Sequence, residues 1–391
     1  MIIHFVVDEK IIDQMIDNFL QVSPNHQFLV FTENKNDNFN HITYTGPFIR
    51  SFNYIEDDIN EVLSNTKADA IILHQLNLKF ANTVNKIKNS IQIAWIAWGF
   101  DVYNLPKIES TLYAPLTKIF LIKNRPFVPF IWLIKKNNFT RGLFFNLKGK
   151  KDYYREIYRA INKVTYFSTY IREDFDVFTK YHNIKGLSFV ETSFSSIDQY
   201  LAGNKHLRVD KNATSIIIGN SNTPESNYLD VIPVIGEKDF KIEKVFCVLS
   251  YGINNKHKKK VIFEGRKHLK DFFCPLTDFM PREEYIKILQ TCSTGIFYHY
   301  RQQAMGNIIA LLYLGARVYL SVKNPAYLFF KRIGVKVFNF EYEFDIFLNT
   351  KLSLDDIENN RKKLDSIFNK EKVINDLSSL SNLLDKSNVN S

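Results

Sequence analysis

The chain has 391 residues, 45% hydrophobic and 24% charged, with 34 Phe and 20 Tyr against 14 Gly, which is enough for two domains at about 100–200 residues each and too apolar for a disordered chain. A formal net charge of +10 draws it toward an acidic partner, whether nucleic acid, anionic lipid or a phosphorylated substrate. Cys247, Cys274 and Cys292 form no C-x-x-C pair and have no His at zinc spacing, which argues against a disulfide framework or a structural zinc and for buried, reduced thiols.

In chain order, Ile2–Val7 reads as a first β-strand; it lacks the basic and long apolar regions of a signal peptide, so the chain is expected to stay in the cytoplasm. Helix over Glu9–Leu20, strand over Gln27–Phe31, helix around Ile55–Ser64 and strands over Ala70–Leu73 and Ile91–Ile96 follow. A strand over Val164–Ser168 and a helix over Glu173–Thr179 close the first half. Such alternation argues for βαβ units around a parallel sheet.

A polar stretch around Leu201–Thr214 is the expected linker. Beyond it, strands at Ser215–Ile218, Val245–Ser250, Phe272–Pro275, Thr294–Tyr300, Val318–Leu320 and Val335–Phe338 alternate with helices at Pro224–Ile235, Lys256–Leu269, Arg282–Thr291, Ala304–Leu314 and Pro325–Ile333. The fold class read from this is α/β, two Rossmann-like doubly wound domains facing a central cleft. The expected division is 1–205, 206–345 and a helical tail 346–391, with the last residues from Asp385 frayed. In open sheets of this type ligands bind beyond the carboxyl ends of the strands.

Between Lys118 and Lys163 there are twelve Lys or Arg and two acids, Asp152 and Glu156, interleaved with Phe127, Phe130, Trp132, Phe139, Phe144 and Phe145. Basic and aromatic residues together favour an anionic membrane surface; the alternative is a solvated basic face over core aromatics. The most apolar stretch, Pro126 to Ile134, is far shorter than the roughly 20 residues that span a bilayer, so the attachment is peripheral.

Two polar loops follow strands of the second half. In Gly219-Asn220-Ser221-Asn222-Thr223-Pro224, Thr223 caps a helix with Pro224 at its first position. Loop amides and the positive helix end suit a diphosphate there, and Gly219 is read as letting a phosphate approach the backbone. In Tyr300-Arg301-Gln302-Gln303-Ala304-Met305-Gly306-Asn307, Arg301 offers a forked phosphate donor and Gln302 and Gln303 offer amides for sugar hydroxyls. Gly306 within a helical pattern suggests close approach of a ligand or a strand. Tyr251 lies on the same edge. In the first half His74 and Asp101, each just past a strand, are candidates to activate an acceptor hydroxyl; a networked His and a capping Asp are the alternatives.

Four patches, Asp8-Glu9-Lys10, Ile72-Leu73-His74 with Trp98-Gly99-Phe100-Asp101-Val102-Tyr103, Gly219-Asn220-Ser221, and Tyr300 to Gly306, make the chain resemble the TDP-N-acetylfucosamine:lipid II N-acetylfucosaminyltransferases, glycosyltransferase family 56. The resemblance implies a GT-B fold, a TDP- or UDP-linked donor held by the C-terminal half and a polyprenyl-diphosphate-linked saccharide acceptor. It also implies no required metal or other cofactor, and places Asp8, Trp98, Gly99 and Tyr103 toward the acceptor. Met305 and Asn307 beside Gly306 and the long basic insertion depart from the enterobacterial branch, which leaves the sugar open.

The expected activity is thus transfer of an (acetamido-)deoxyhexose to a lipid-linked glycan in bacterial surface polysaccharide synthesis, with the protein peripheral on the inner face of the cell membrane. The donor diphosphate would lie against Gly219–Thr223 and Arg301. A nucleotide-sugar epimerase or hydrolase would use the same loops without a lipid acceptor; a non-enzymatic membrane-bound nucleotide- or glycan-binding partner would bind without turnover. Nucleic-acid binding is disfavoured because no such motif is present.

Overall fold

The computed structural model describes residues 1–33, 38–238, 241–252, 254–347 and 350–385. It divides into two compact units: Met1–Ile108, Leu133–Ser196 and Lys370 onward form the first, Glu109–Trp132 and Ile197–Asn369 the second. This differs from the contiguous division read from the sequence. The polar stretch near Leu201 lies inside the second unit, the chain leaves the first unit at Glu109 to return at Leu133 and leaves it again at Ile197, and the tail is shared. Its helix Leu354–Ile367 belongs to the second unit and its helix Lys370–Leu384 to the first.

In the first unit seven parallel strands, β1 (Ile2–Val6), β2 (His26–Thr32), β3 (Ile49–Asn53), β4 (Ala70–His74), β5 (Gln92–Ile96), β6 (Tyr166–Thr169) and β7 (Ser188–Glu191), stand in the order β3-β2-β1-β4-β5-β6-β7. β1 and β4 are buried along their whole length, which explains why they read as unbroken apolar runs: helices cover both faces. β3 and β7, not anticipated from the sequence, are edge strands whose Ile-Arg-Ser-Phe-Asn and Ser-Phe-Val-Glu leave charged residues exposed. Val373, Leu377, Leu380 and Leu384 of the last helix, at helical spacing, are fully buried with Met15 and Phe19 of helix Ile12–Val22. Burial of each contributes on the order of 2 kcal/mol, which fastens the returning chain.

The second unit repeats the plan with six parallel strands, β8 (Ser215–Ile218), β9 (Val245–Val248), β10 (Phe273–Leu276), β11 (Cys292–Phe297), β12 (Arg317–Leu320) and β13 (Phe338–Asn339), in the order β10-β9-β8-β11-β12-β13. Strand order reverses between β8 and β11, so loops leaving these two strands diverge to opposite faces and open a crevice at their carboxyl ends. The loops carrying Gly219 and Arg301 are those two. Cys247 and Cys292 are buried and all three cysteines are free thiols.

Candidate active site

Gly219 leaves β8 with φ +60, and its N–H donates to the Ile296 carbonyl of β11 at 2.9 Å. A Cβ here would lie 2.3 Å from Oη of Tyr228, whose hydroxyl donates to the Val248 carbonyl. The space beside Gly219 is therefore filled by a tyrosine ring, which corrects the reading that it admits a phosphate. The helix at Pro224 also differs from expectation: Pro224–Ser226 is a three-residue 3₁₀ turn with no side-chain cap from Thr223, and the α-helix begins at Tyr228. One turn supports little dipole, so that helix end cannot supply the anion site.

The two loops are nonetheless joined. Gln303 Nε2 donates to Asn220 Oδ1 at 2.8 Å and to Ser221 Oγ at 3.1 Å, while its Oε1 accepts from Arg301 Nε at 2.8 Å. Ser221 Oγ in turn lies 3.1 Å from Thr223 Oγ1. This Arg–Gln–Asn/Ser clasp spans the switch point between β8 and β11 and orients the guanidinium by holding its Nε. Beneath it His299 is fully buried and neutral, its pKa pulled down to about 3 by burial and by the charge of Arg301.

Just beyond the clasp, Ala304 has φ +65, unusual for a residue with a Cβ, and precedes the ten-residue helix Met305–Leu314 without a side-chain cap. The first-turn amides of a helix have no partner within it, and the Ala304 side chain at the cap position supplies none. Gly306 sits in that turn, and an added Cβ would meet only Tyr200 Cδ1 at 3.8 Å. Among the described residues nothing crowds it, so packing against a strand does not explain the glycine. Arg301, the helix start at Met305 and Gly306 thus follow one another within six residues of chain, a combination of cation and helix end that suits an anion. Gln302 and Asn307, in the same stretch, are half-buried.

The loop after β9 is tied to the same region. Asn222 N donates to the Tyr251 carbonyl at 2.5 Å, its Nδ2 donates to the Asn254 carbonyl, and its Oδ1 lies 3.0 Å from His257 Nδ1. Gly252, at φ +98, allows this approach, since a Cβ would stand 2.7 Å from the Asn222 carbonyl oxygen. The Tyr251 side chain itself is exposed, edge-on to Phe279.

Sequence reasoning missed Asn227. It sits at φ +51 after the loop, its Nδ2 donating to the carbonyls of Tyr298 (2.9 Å) and Leu112 (3.2 Å) and its Oδ1 accepting from Ala114 N at 2.9 Å. Asp230 one turn on accepts from Leu116 N, Thr117 N and Thr117 Oγ1. The segment that crosses from the first unit is thus pinned to the helix that follows the Asn220–Thr223 loop. Glu341, at the start of helix Phe340–Phe347, was missed as well. It accepts from Ser321 Oγ and Val322 N just past β12, placing a carboxylate on the same edge.

In the first unit the candidates are interior. Asp101 is 7% exposed, and its oxygens accept from Leu76 N (2.9 Å), Trp95 Nε1 (2.7 Å) and Trp98 N (3.0 Å). It staples the exits of β4 and β5 together, with Gly99 making the turn at φ +89; burial pushes its carboxyl up to about 6 against the pull of those N–H donors. Both of its oxygens are thus engaged by N–H donors of the surrounding loop.

His74 is fully buried and joins a chain of imidazoles across β2, β1 and β4, with His4 Nδ1 2.8 Å from His74 Nε2 and His4 Nε2 2.8 Å from His26 Nδ1. Burial holds His74 at about 3 and His26 at about 4, so both are neutral near pH 7. His74 Nδ1 has no partner among the described residues. A bare lone pair costs less there than an unpaired N–H, which favours proton donation from His74 through His4 to His26. The networked and capping arrangements are the ones these two residues adopt, in place of side chains free to meet an acceptor.

Tyr103 is buried with its hydroxyl donating to Asp174 Oδ1 at 2.5 Å. Asp8 accepts from the amides of Asn40, His41 and Ile42, which together hold its carboxyl below the usual range against the effect of burial. Trp98 is half-buried against the apolar core of the unit.

Two parallel sheets of order 3-2-1-4-5-6, the first extended by one strand, are the paired Rossmann-like sheets of the GT-B fold. The same fold is seen, over 98% of both chains, in the E. coli trehalose-6-phosphate structure bound with UDP-2-fluoro glucose (TM-score 0.61, 10% identity) and in sucrose-phosphate synthase from Thermosynechococcus elongatus (TM-score 0.62, 8% identity). A glycosyltransferase from Rickettsia africae is also similar, over 100% of this chain and 99% of its own, at TM-score 0.58 and 10% identity.

Residues 171–374, more than half of the chain, match the family described as 4-alpha-L-fucosyltransferase, glycosyl transferase group 56. The chain belongs to glycosyltransferase family 56, and it is a transferase enzyme.

Proposed function

We propose that the enzyme transfers an (acetamido-)deoxyhexose from a TDP- or UDP-sugar to a polyprenyl-diphosphate-linked saccharide during bacterial surface polysaccharide synthesis, working on the inner face of the cell membrane. The observation that carries the donor half is the clasp of Arg301, Gln303, Asn220 and Ser221 beside the uncapped helix at Met305. A nucleoside diphosphate placed there meets a held guanidinium and the amides of Met305, Gly306 and Asn307. These stabilise the charge that builds on the leaving diphosphate as the acceptor oxygen attacks the anomeric carbon. The reading needs no metal, because a cation and a helix end already face that charge. The E. coli neighbour, bound with UDP-2-fluoro glucose, supports the donor class.

For the acceptor, the first unit offers Glu9 in place of Asp101. Beyond β1, Asp8 is taken up by three loop amides, whereas the Glu9 side chain reaches solvent with its carboxyl raised by partial desolvation. That carboxylate is assigned to receive the proton of the acceptor hydroxyl. Initial rates test both roles. Arg301→Ala should lower kcat by about 10²–10³-fold and Glu9→Gln by about 10²–10⁴-fold, with melting temperatures unchanged. A rate within threefold of wild type in either variant removes that assignment.

A further inference from the structure

Helix Asn138–Leu147 is built inside out. Phe139, Leu143 and Leu147, at i, i+4 and i+8, form one stripe and are 80%, 51% and 79% exposed. The opposite face turns inward Phe145 and Arg141, whose Nε sits 3.1 and 2.9 Å from the two oxygens of Asp152. A helix facing water shows the reverse arrangement.

The helices before it do likewise. In Val128–Lys136, Phe130 and Leu133 are exposed while Trp132 is buried, and Phe127 just ahead is exposed too. In Pro115–Asn124, Leu116 and Ile119 are exposed while Thr117 is turned in toward Asp230. Between Glu109 and Asp152 there is no acid, and nine Lys or Arg occur. Lys118, Lys123, Arg125, Lys148, Lys150 and Lys151 are exposed among the apolar side chains, and Lys148 Nζ lies 4.2 Å over the Phe144 ring.

We infer that helix Asn138–Leu147 is an in-plane membrane anchor whose Phe139, Leu143 and Leu147 enter the acyl boundary of a bilayer while the exposed Lys148, Lys150 and Lys151 beside it engage anionic headgroups. The inference deepens the lipid-linked acceptor reading, on which its biological purpose rests. Each helix is too short to cross a bilayer, and among the described residues no helix is long and apolar enough to do so. Exposed aromatics and leucines flanked by cations are the composition of an interfacial helix. A second copy of the chain is a poorer cover, because the same unbalanced cations would face one another; an anionic leaflet neutralises them.

Flotation of the full chain with vesicles tests this. Wild type should float with phosphatidylglycerol/phosphatidylethanolamine vesicles, less with phosphatidylcholine alone, and less again as salt screens the headgroups. The triple variant Phe139→Ser/Leu143→Ser/Leu147→Ser should lose about tenfold or more of its partitioning. Its melting temperature and its response to TDP and UDP should stay those of wild type, since the three side chains are exposed. Wild type that stays unbound, a triple variant that floats as well, or a wild-type dimer that the triple variant dissolves without any vesicle binding would each overturn the inference. Failure of the donor reading would show differently, as vesicle binding kept and nucleotide response absent.

Discussion

Asp101 shows how one carboxylate organises a loop rather than a reaction. Its oxygens accept two main-chain amides and the Trp95 indole at 2.7–3.0 Å, so Asp101→Asn turns an NH₂ toward a buried donor and leaves it unpaired, at a cost of about 1–3 kcal/mol. For a protein of this size each kcal/mol lowers the melting temperature by about 2–4 °C. The expected result in scanning calorimetry is a clear loss of melting temperature with turnover largely retained. An inactive variant that melts with wild type would return Asp101 to catalysis. Gly219 and Gly306 part company on the same kind of evidence. The first is required by the Tyr228 ring, while the second is crowded by nothing among the described residues, so its role is open to a ligand.

Among the elements, the joint that matters most is the turn at Asn227. Its side chain ties the incoming segment, through Leu112 and Ala114, to the Tyr298 carbonyl beside the clasp. Asn227→Ala would strand the Ala114 amide, at about 1–3 kcal/mol, and remove the side-chain amide that helps Asn tolerate the left-handed φ of +51. The expected phenotype is a lower melting temperature together with a raised KM for the donor; a lower melting temperature with donor KM unchanged would separate the joint from the site.

Most strands were legible because a parallel strand buried on both faces is written as an apolar run, as in Ile216–Ile218. The polar edges β3 and β7 and the inside-out helix Asn138–Leu147 were not, since their pattern answers to neighbours that a local window does not contain. The loops at the β8/β11 switch point were legible from Gly-Asn-Ser and Arg-Gln-Gln. The interior roles of His74 and Asp101 were not: a polar residue past a strand end looks alike whether it meets a substrate or a buried partner.

For the whole molecule, the two units have the same strand order but different equipment. The first spends its polar strand-end residues on internal order, a chain of neutral imidazoles and a stapled loop. The second gathers a guanidinium, an uncapped helix and a clasp at its switch point. Donor binding at that switch point is measured by a thermal-shift panel of TDP, UDP, GDP and ADP, without metal, on wild type and Arg301→Ala. A ligand that binds the native state raises the melting temperature by mass action, worth about 2.7 kcal/mol at a hundredfold excess over Kd. A shift with TDP or UDP, insensitive to EDTA and lost in Arg301→Ala, is the expected result; no shift with any nucleotide, or one that survives the substitution unchanged, would remove the donor site from this loop pair.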